Sequence, residues 1–312
     1  MRVLFWGTPE FATPALRALL GEGHDVVGVV TQPDAPDARH RGTLVAPPVK
    51  RVAEEESIPV LQPDRPRGSD VLAQLRAFEP EISVVVAYGH VLDNDVIGLP
   101  PNGTVNIHAS LLPRWRGAGP IQAALLAGDA ETGVTIMRMI RQLDAGPVLL
   151  RLPTPIPDDE TYGELQLRLA ELGALAIIEA LALVDVGEAR DEPQDESLAT
   201  YAPKITREMA RVVWTESATQ ISRVIRAFDP RPGAYTVRAG NDVKLFGARV
   251  VAGRHGGVAP GTVLEIDESG MLVTCGADAL RIGYVFPAGR RRVAAMDWAQ
   301  GRGVSVGDVL GA

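Results

Sequence analysis

From its first residues the chain alternates short apolar runs with stretches of helical spacing. Val3 to Gly7 (VLFWG) reads as a buried strand. Thr8-Pro9-Glu10 then reads as a helix start, with a cap residue, Pro in the first turn and an early acid. Phe11, Ala15, Leu16 and Leu19 follow at helical spacing. Asp25 to Thr31, Glu81 to Gly89 and Gly103 to His108 are further Val/Ile-rich runs, each reached through a helical stretch. Uninterrupted Val/Ile runs separated by helices predict an α/β fold with a mostly parallel sheet covered on both faces. A helix from about Gly119 and a strand over Gly133 to Met139 continue that pattern. A long helix over Thr161 to Leu183 places Leu165, Leu169, Leu172, Leu175 and Ile178 on its apolar face.

Beyond that helix the pattern changes. Val184 to Ser197 (VDVGEARDEPQDES) is acidic, poor in apolar residues and interrupted by a Pro, the composition of a linker. One helix near Ser217 to Phe228 is followed by five short runs: Ala234 to Arg238, Val243 to Val251, Thr262 to Ile266, Met271 to Cys275 and Leu280 to Val285. Gly, Asn and Asp turns separate them, which predicts a small antiparallel barrel. The expected organisation is a catalytic domain over residues 1–186, a linker over 187–203 and a barrel over 204–312.

Composition narrows the class. With 312 residues, 46% hydrophobic and 22% charged, the chain fits two cytoplasmic globular domains. No signal-peptide pattern opens it and no run is long enough to span a bilayer, so no membrane partner is expected. The single Cys275 excludes an internal disulfide and a multi-cysteine metal site, and its strand-like surroundings predict a buried, inert thiol. The net charge of −8 hides an asymmetry: residues 204–312 hold 15 Lys+Arg against 10 Asp+Glu. A basic second half on an acidic chain suits local contact with a polyanion.

The candidate chemistry lies in Asn106 to Gln122 (NIHASLLPRWRGAGPIQ). Residues two apart in a strand face one side, so Asn106 and His108 converge at the carboxyl end of a parallel strand, where open α/β sheets place ligands. Asn offers a neutral donor, and His exchanges protons near neutrality. Asp144, in the turn RQLDAGPVL, is the candidate partner for the imidazole. An amide, an imidazole and a carboxylate suit a reaction through a tetrahedral oxyanion. No Ser or Cys stands in a nucleophile motif, so one substrate attacks the other and the reaction is group transfer. A metal is not required.

These blocks together resemble the formyltransferases that use 10-formyltetrahydrofolate. VLFWGTPEFATPALRAL, TQPD at Thr31 to Asp34, PPVKRVAEE at Pro47 to Glu55, YAPKIT at Tyr201 to Thr206, PGAYT at Pro232 to Thr236 and the closing GYVFPAGRRRVAAMDWAQGRG resemble the methionyl-tRNA formyltransferase family in particular. The resemblance covers essentially the whole chain. It implies a Rossmann-like, folate-binding catalytic domain and a C-terminal barrel of the oligonucleotide-binding type that helps hold initiator methionyl-tRNA. It implies Asn106, His108 and Asp144 as catalytic residues. It also implies Ser110, Leu111, Leu112 and Pro113 as folate contacts, with further pterin contacts from backbone around Val86, Tyr88 and Gly89 and from the 140–144 turn. A monomer is expected.

Arg114 and Arg116, flanking Trp115, could meet the acceptor end of the tRNA by charge and stacking, or could pair with local acids. The loop Gln32 to Pro48 departs from the family pattern. That loop is usually more basic, but here Thr43 and Leu44 stand where lysines are common and Asp37 intrudes. Arg39 and Arg41 remain as the candidate RNA contacts. Competing readings are the same folate chemistry on an amino sugar nucleotide or another small amine, a non-catalytic tRNA-binding homologue, and a formylfolate hydrolase.

Overall fold

The computed structural model describes residues 1–36, 42–253 and 257–311. Arg39 and Arg41 lie outside the described residues. The chain resolves into two units, one formed by residues 1–120, 131–155 and 166–202 and the other by residues 121–130, 156–165 and 203–312. Among the described residues no helix is long and apolar enough to cross a membrane.

The first unit is built on a seven-stranded sheet. Its strands in chain order are Arg2–Gly7 (β1), Asp25–Val30 (β2), Val60–Leu61 (β3), Ile82–Val86 (β4), Thr104–His108 (β5), Glu131–Arg138 (β6) and Val148–Pro155 (β7). Across the sheet they run β7-β6-β5-β4-β1-β2-β3. The five strands from β5 to β3 are parallel. Most of their Val and Ile side chains are buried, on both faces, as a sheet covered twice requires.

Three details differ from the sequence reading. The Gly133 to Met139 run does not extend the parallel pattern: β6 is antiparallel to β5, with His108 opposite Thr135, and β7 is antiparallel to β6. The helix expected from about Gly119 forms as Pro120–Ala127, and the strand after it returns antiparallel to β5. Thr8 does not cap a helix either. A 3-10 turn over Glu10–Ala12 precedes the first helix, Thr13–Gly21, and Thr8 Oγ1 instead donates to Tyr88 O at 2.8 Å. Finally, the long helix forms over Tyr162–Asp185, but Leu175 is on its exposed side. Its buried side runs through Leu169, Ala176, Ile177 and Ala180. Gly173 sets that facing, because a Cβ there would stand 2.9 Å from Ile107 Cγ2.

The second unit carries a six-stranded antiparallel sheet. Tyr235–Arg238 (β8), Asn241–Val251 (β9), Val263–Asp267 (β10), Gly270–Thr274 (β11) and Ala279–Pro287 (β12) follow the order β8-β9-β12-β11-β10, and Val293–Ala294 pairs with β12. The last residues join its two edges. Val263 N donates to Asp308 O, Leu310 N to Gly261 O and Gly311 N to Val237 O, each within 2.9 Å. These bonds satisfy groups that an open edge would leave unpaired, which is the physical reason to close a small sheet. The helix Ala218–Ala227 is capped by Ser217, whose Oγ accepts Gln220 N at 3.2 Å.

Cys275 lies at the end of β11 and is 4% exposed. Burial pushes its thiol up to about 12. Because the thiolate is the reactive form, iodoacetamide at pH 8 is expected to leave the native chain unmodified and to label it fully in urea. Labelling of the folded chain at the rate of an exposed thiol would contradict this placement.

Candidate functional site

The site begins on β5. Alternation turns Val105 and Ile107 to one face of the sheet, where Ile107 meets the helix at Gly173, and turns Asn106 and His108 to the other. Asn106 is half-buried, whereas His108 is only 5% exposed. After His108 the chain enters the loop 109–119, and its shape is held from below by Thr135. This fully buried threonine donates from Oγ1 to Ser110 O at 2.6 Å and accepts Leu112 N at 3.0 Å. Ser110 in turn donates from Oγ to Arg114 O at 2.6 Å. The sequence reading did not single out Thr135, which looked like one residue of an ordinary strand.

The loop folds back on the imidazole at Trp115. With φ at 64°, Trp115 adopts a left-handed backbone, uncommon for a bulky residue. This turns its carbonyl to His108 Nε2 at 2.9 Å. Carbonyls only accept, so the neutral ring carries its proton on Nε2, and Nδ1 is left on the side of the next residue in the site. That residue is Asp144, whose Oδ2 stands 3.7 Å from His108 Nδ1. The separation is an electrostatic contact, too long for a direct hydrogen bond.

Asp144 Oδ2 is fixed by a shorter contact, the Gly117 amide at 2.8 Å. Gly117 has φ 116°, and a Cβ there would come within 2.4 Å of Ala202 O. Only glycine brings this amide so close. Asp144 is itself left-handed, with φ 50°, and its carbonyl accepts from Gln194 Nε2 at 2.9 Å. The structure therefore brings His108 and Asp144 together, on the sheet face that Asn106 shares.

Gln194 belongs to the segment read as a linker, and that segment is bound to the first unit along its length. Glu192 and Val148 exchange both backbone bonds, at 2.8 and 2.9 Å. Thr200 Oγ1 accepts Trp115 N at 2.9 Å, Thr200 O accepts Arg116 N at 2.9 Å, and Tyr201–Ala202 pairs with Arg116–Gly117. The acidic, polar composition suggested a solvated chain because its partners lie far away in sequence.

Arg116 is corrected by the same segment. Its side chain is fully buried, donating from Nε and Nη2 to Gln194 Oε1 and from Nη1 and Nη2 to the Glu196 carboxylate, all between 2.8 and 3.1 Å. A guanidinium so enclosed and already matched by a carboxylate has no open face for a phosphate. Arg114, by contrast, is exposed and stacks over the Trp115 ring at 4.3 Å.

The residues named for folate divide in a similar way. Ser110 and Leu112 are buried, with Leu112 packed on Met137 and Val148. Leu111 and Pro113 are half-buried. Val86 is 1% exposed, and the Tyr88 side chain turns into the core, edge-on to Trp6 at 5.1 Å, where burial pushes its hydroxyl up to about 12. The Tyr88 carbonyl accepts from Thr8 and from Gln32 Nε2 at 3.2 Å. Gly89, at φ 100°, is exposed beside Gln32.

Residues 1–181 match the formyl transferase family, and residues 204–303 match the formyl transferase C-terminal domain. The chain is 45% identical over 310 residues to the methionyl-tRNA formyltransferase of Magnetococcus marinus, covering 99% of this chain and 98% of that one. It is 45% identical to the protein of the same name from Pseudomonas paraeruginosa, with 100% of both chains covered. Among solved structures, HypX from Aquifex aeolicus in complex with tetrahydrofolic acid shares the fold at TM-score 0.68 and 19% identity, over 98% of this chain and 48% of that one. An N-formyltransferase from Helicobacter canadensis shares it at TM-score 0.65 and 13% identity, over 94% of this chain and 100% of that one.

The Arg116 cluster generates a stability prediction. Hydrogen bonds from Arg116 hold the Glu196 carboxyl below its ordinary range. A carboxyl depressed by folding stabilises the fold above its unfolded value, and the contribution is lost as pH falls through the folded value. Glu196→Gln is expected to flatten that acid dependence. Arg116→Met leaves Gln194 Oε1 without its donor and is expected to cost about 1–3 kcal/mol in urea unfolding at neutral pH. A change within about 0.5 kcal/mol, normal for a surface cation, would return Arg116 to the surface.

Proposed function

The chain belongs to the methionyl-tRNA formyltransferase family and formylates methionyl-tRNA, and we propose that Asn106, His108 and Asp144 carry the transfer from 10-formyltetrahydrofolate to the methionyl amino group. The observation that carries this reading is the approach of Asp144 Oδ2 to His108 Nδ1 at 3.7 Å, on the sheet face that also presents Asn106.

The methionyl amine is the nucleophile. An α-amino group has a pKa of about 8 in model peptides, so a sizeable share is neutral near pH 7.5. Its nitrogen attacks the formyl carbon, and the carbonyl electrons move onto oxygen. The Asn106 amide donates to that oxyanion, a contact stronger in the tetrahedral state than in the starting carbonyl. Collapse re-forms the carbonyl, breaks the bond from carbon to N10, and leaves N10 needing the proton that the attacking amine gives up. His108 carries that proton. Nε2 is held by the Trp115 carbonyl, so Nδ1, whose contact with Asp144 is long, is the nitrogen that exchanges it. Asp144, 3.7 Å away, balances the charge on the ring.

The folate lies against the exposed backbone at Gly89 and the 140–144 turn. Leu111 and Pro113 meet it, while buried Ser110 and Leu112 keep the wall in shape. Val86 and Tyr88 act through backbone position alone, since both side chains are buried. Initiator methionyl-tRNA is held by Arg114 stacked on Trp115 and by Arg39 and Arg41. The second unit adds Lys244, Phe286, Tyr284 and Arg292, the last lying 4.1 Å from the Phe246 ring centre. Cations over aromatic rings on a small antiparallel sheet suit RNA. The enzyme works as a cytoplasmic monomer.

Formyl transfer from 10-formyltetrahydrofolate is expected with charged initiator methionine tRNA, with far less to charged elongator tRNA and none to an amino sugar nucleotide. The reverse preference would overturn the acceptor assignment. Asn106→Ala is expected to lower kcat by a factor of about 100 to 1,000, the usual effect of losing one oxyanion donor. Near-wild-type turnover would remove Asn106 from the chemistry.

A further inference from the structure

We propose that Gln194 is a positioning residue for the transfer, acting through Asp144. The inference rests on the reading of Asp144 as a member of the catalytic trio. Gln194 spends all of its hydrogen-bonding groups on the two loops that meet at the site. Its Nε2 donates to Asp144 O at 2.9 Å and to Gly146 O at 2.7 Å, and its Oε1 accepts from Arg116 Nε at 3.1 Å and Nη2 at 2.8 Å. A carboxamide is the one neutral side-chain group that donates twice and accepts twice across so short a distance.

The need for this brace comes from the backbone it holds. Asp144 sits at φ 50°, a left-handed backbone uncommon outside glycine, and its neighbours hold it there. Gly146 is equally constrained, because a Cβ there would meet Arg138 O at 1.8 Å. Two carbonyls of one turn converge on a single NH2 group, which fixes the orientation of both peptide planes. The Asp144 carboxylate is thereby presented to the Gly117 amide and to His108. Gln194 is itself immobilised two residues away, where Glu192 and Val148 exchange backbone bonds.

The experiment compares Gln194→Leu, Gln194→Glu, Asp144→Asn and the double variants Gln194→Leu/Asp144→Asn and Gln194→Glu/Asp144→Asn in the full chain, measuring kcat and both KM values alongside urea unfolding. Gln194→Leu is expected to lower kcat by about 100-fold with KM for folate and tRNA unchanged, the scale of misplacing a catalytic group by about 1 Å. Gln194→Glu keeps an oxygen for Arg116 but loses the donors to the two carbonyls. It is expected to stay folded, with its urea midpoint lowered, and to lose kcat as Gln194→Leu does. Wild-type kcat in folded Gln194→Glu would overturn the proposal. In the Asp144→Asn background the Gln194 substitutions are expected to cost nothing more, because residues that act as one unit are not additive. Full multiplication of the two losses would show that Gln194 acts elsewhere. If Asp144→Asn alone keeps its turnover, the trio reading itself has failed. If Asp144→Asn loses turnover while both Gln194 variants keep theirs, only the brace has failed.

Discussion

The oxygen of Asp144 that accepts the Gly117 amide at 2.8 Å also faces His108 at 3.7 Å, and the rest of the first unit holds that oxygen in place. A flexible carboxylate beside an imidazole would supply charge without orientation. Here both the backbone and the side chain of Asp144 are tied down, by Gln194 on its carbonyl and by Gly117 on its carboxylate. The imidazole is tied down as well, by the Trp115 carbonyl on its other nitrogen. Under the proposed mechanism, preorganisation of this kind is what lets a neutral amide and an imidazole stabilise charge that appears only during the reaction.

The loops that do this are not independent of one another. Loop 109–119 leaves β5 directly after His108 and is shaped by Thr135 beneath it. The segment from Glu192 to Ala202 crosses back and pairs with both loops, with Arg116 buried where they meet. A buried guanidinium has to be matched in charge and in hydrogen bonds, because an unmatched one is costly to desolvate. Glu196 and Gln194 meet that requirement, and in doing so they fix the segment's register on loop 109–119. In the second unit, residues 307–311 join the two edge strands of the antiparallel sheet.

Much of this was legible from spacing. The two-residue period of β5 puts Asn106 and His108 on one face, and the change from helical to strand patterning after Leu183 separates the two kinds of sheet. Asp144 was legible as an acid in a turn. Its distance from His108 was not, because nothing local to that turn encodes it. Arg116 was misread for a related reason: within Arg-Trp-Arg it looks like a surface cluster, and the carboxylate that pairs with it lies 80 residues later. Gln194 was hidden inside an acidic, Pro-interrupted stretch whose composition argued for solvation. Local patterns report whether a residue can be buried, whereas contacts between distant loops decide whether it is. The reversal of β6 is another case, since apolar periodicity is the same in parallel and antiparallel strands.

The central claim is that the migrating formyl group sits against Asn106 while His108 is held by Asp144. A crystal structure with a non-transferable N10-acyl analogue of tetrahydrofolate tests it most directly. The account predicts the acyl oxygen within about 3 Å of Asn106 Nδ2, an ordinary hydrogen-bond distance, with His108 Nδ1 on the side of N10. An acyl group bound away from β5, or an Asn106 amide turned from it, would contradict the account.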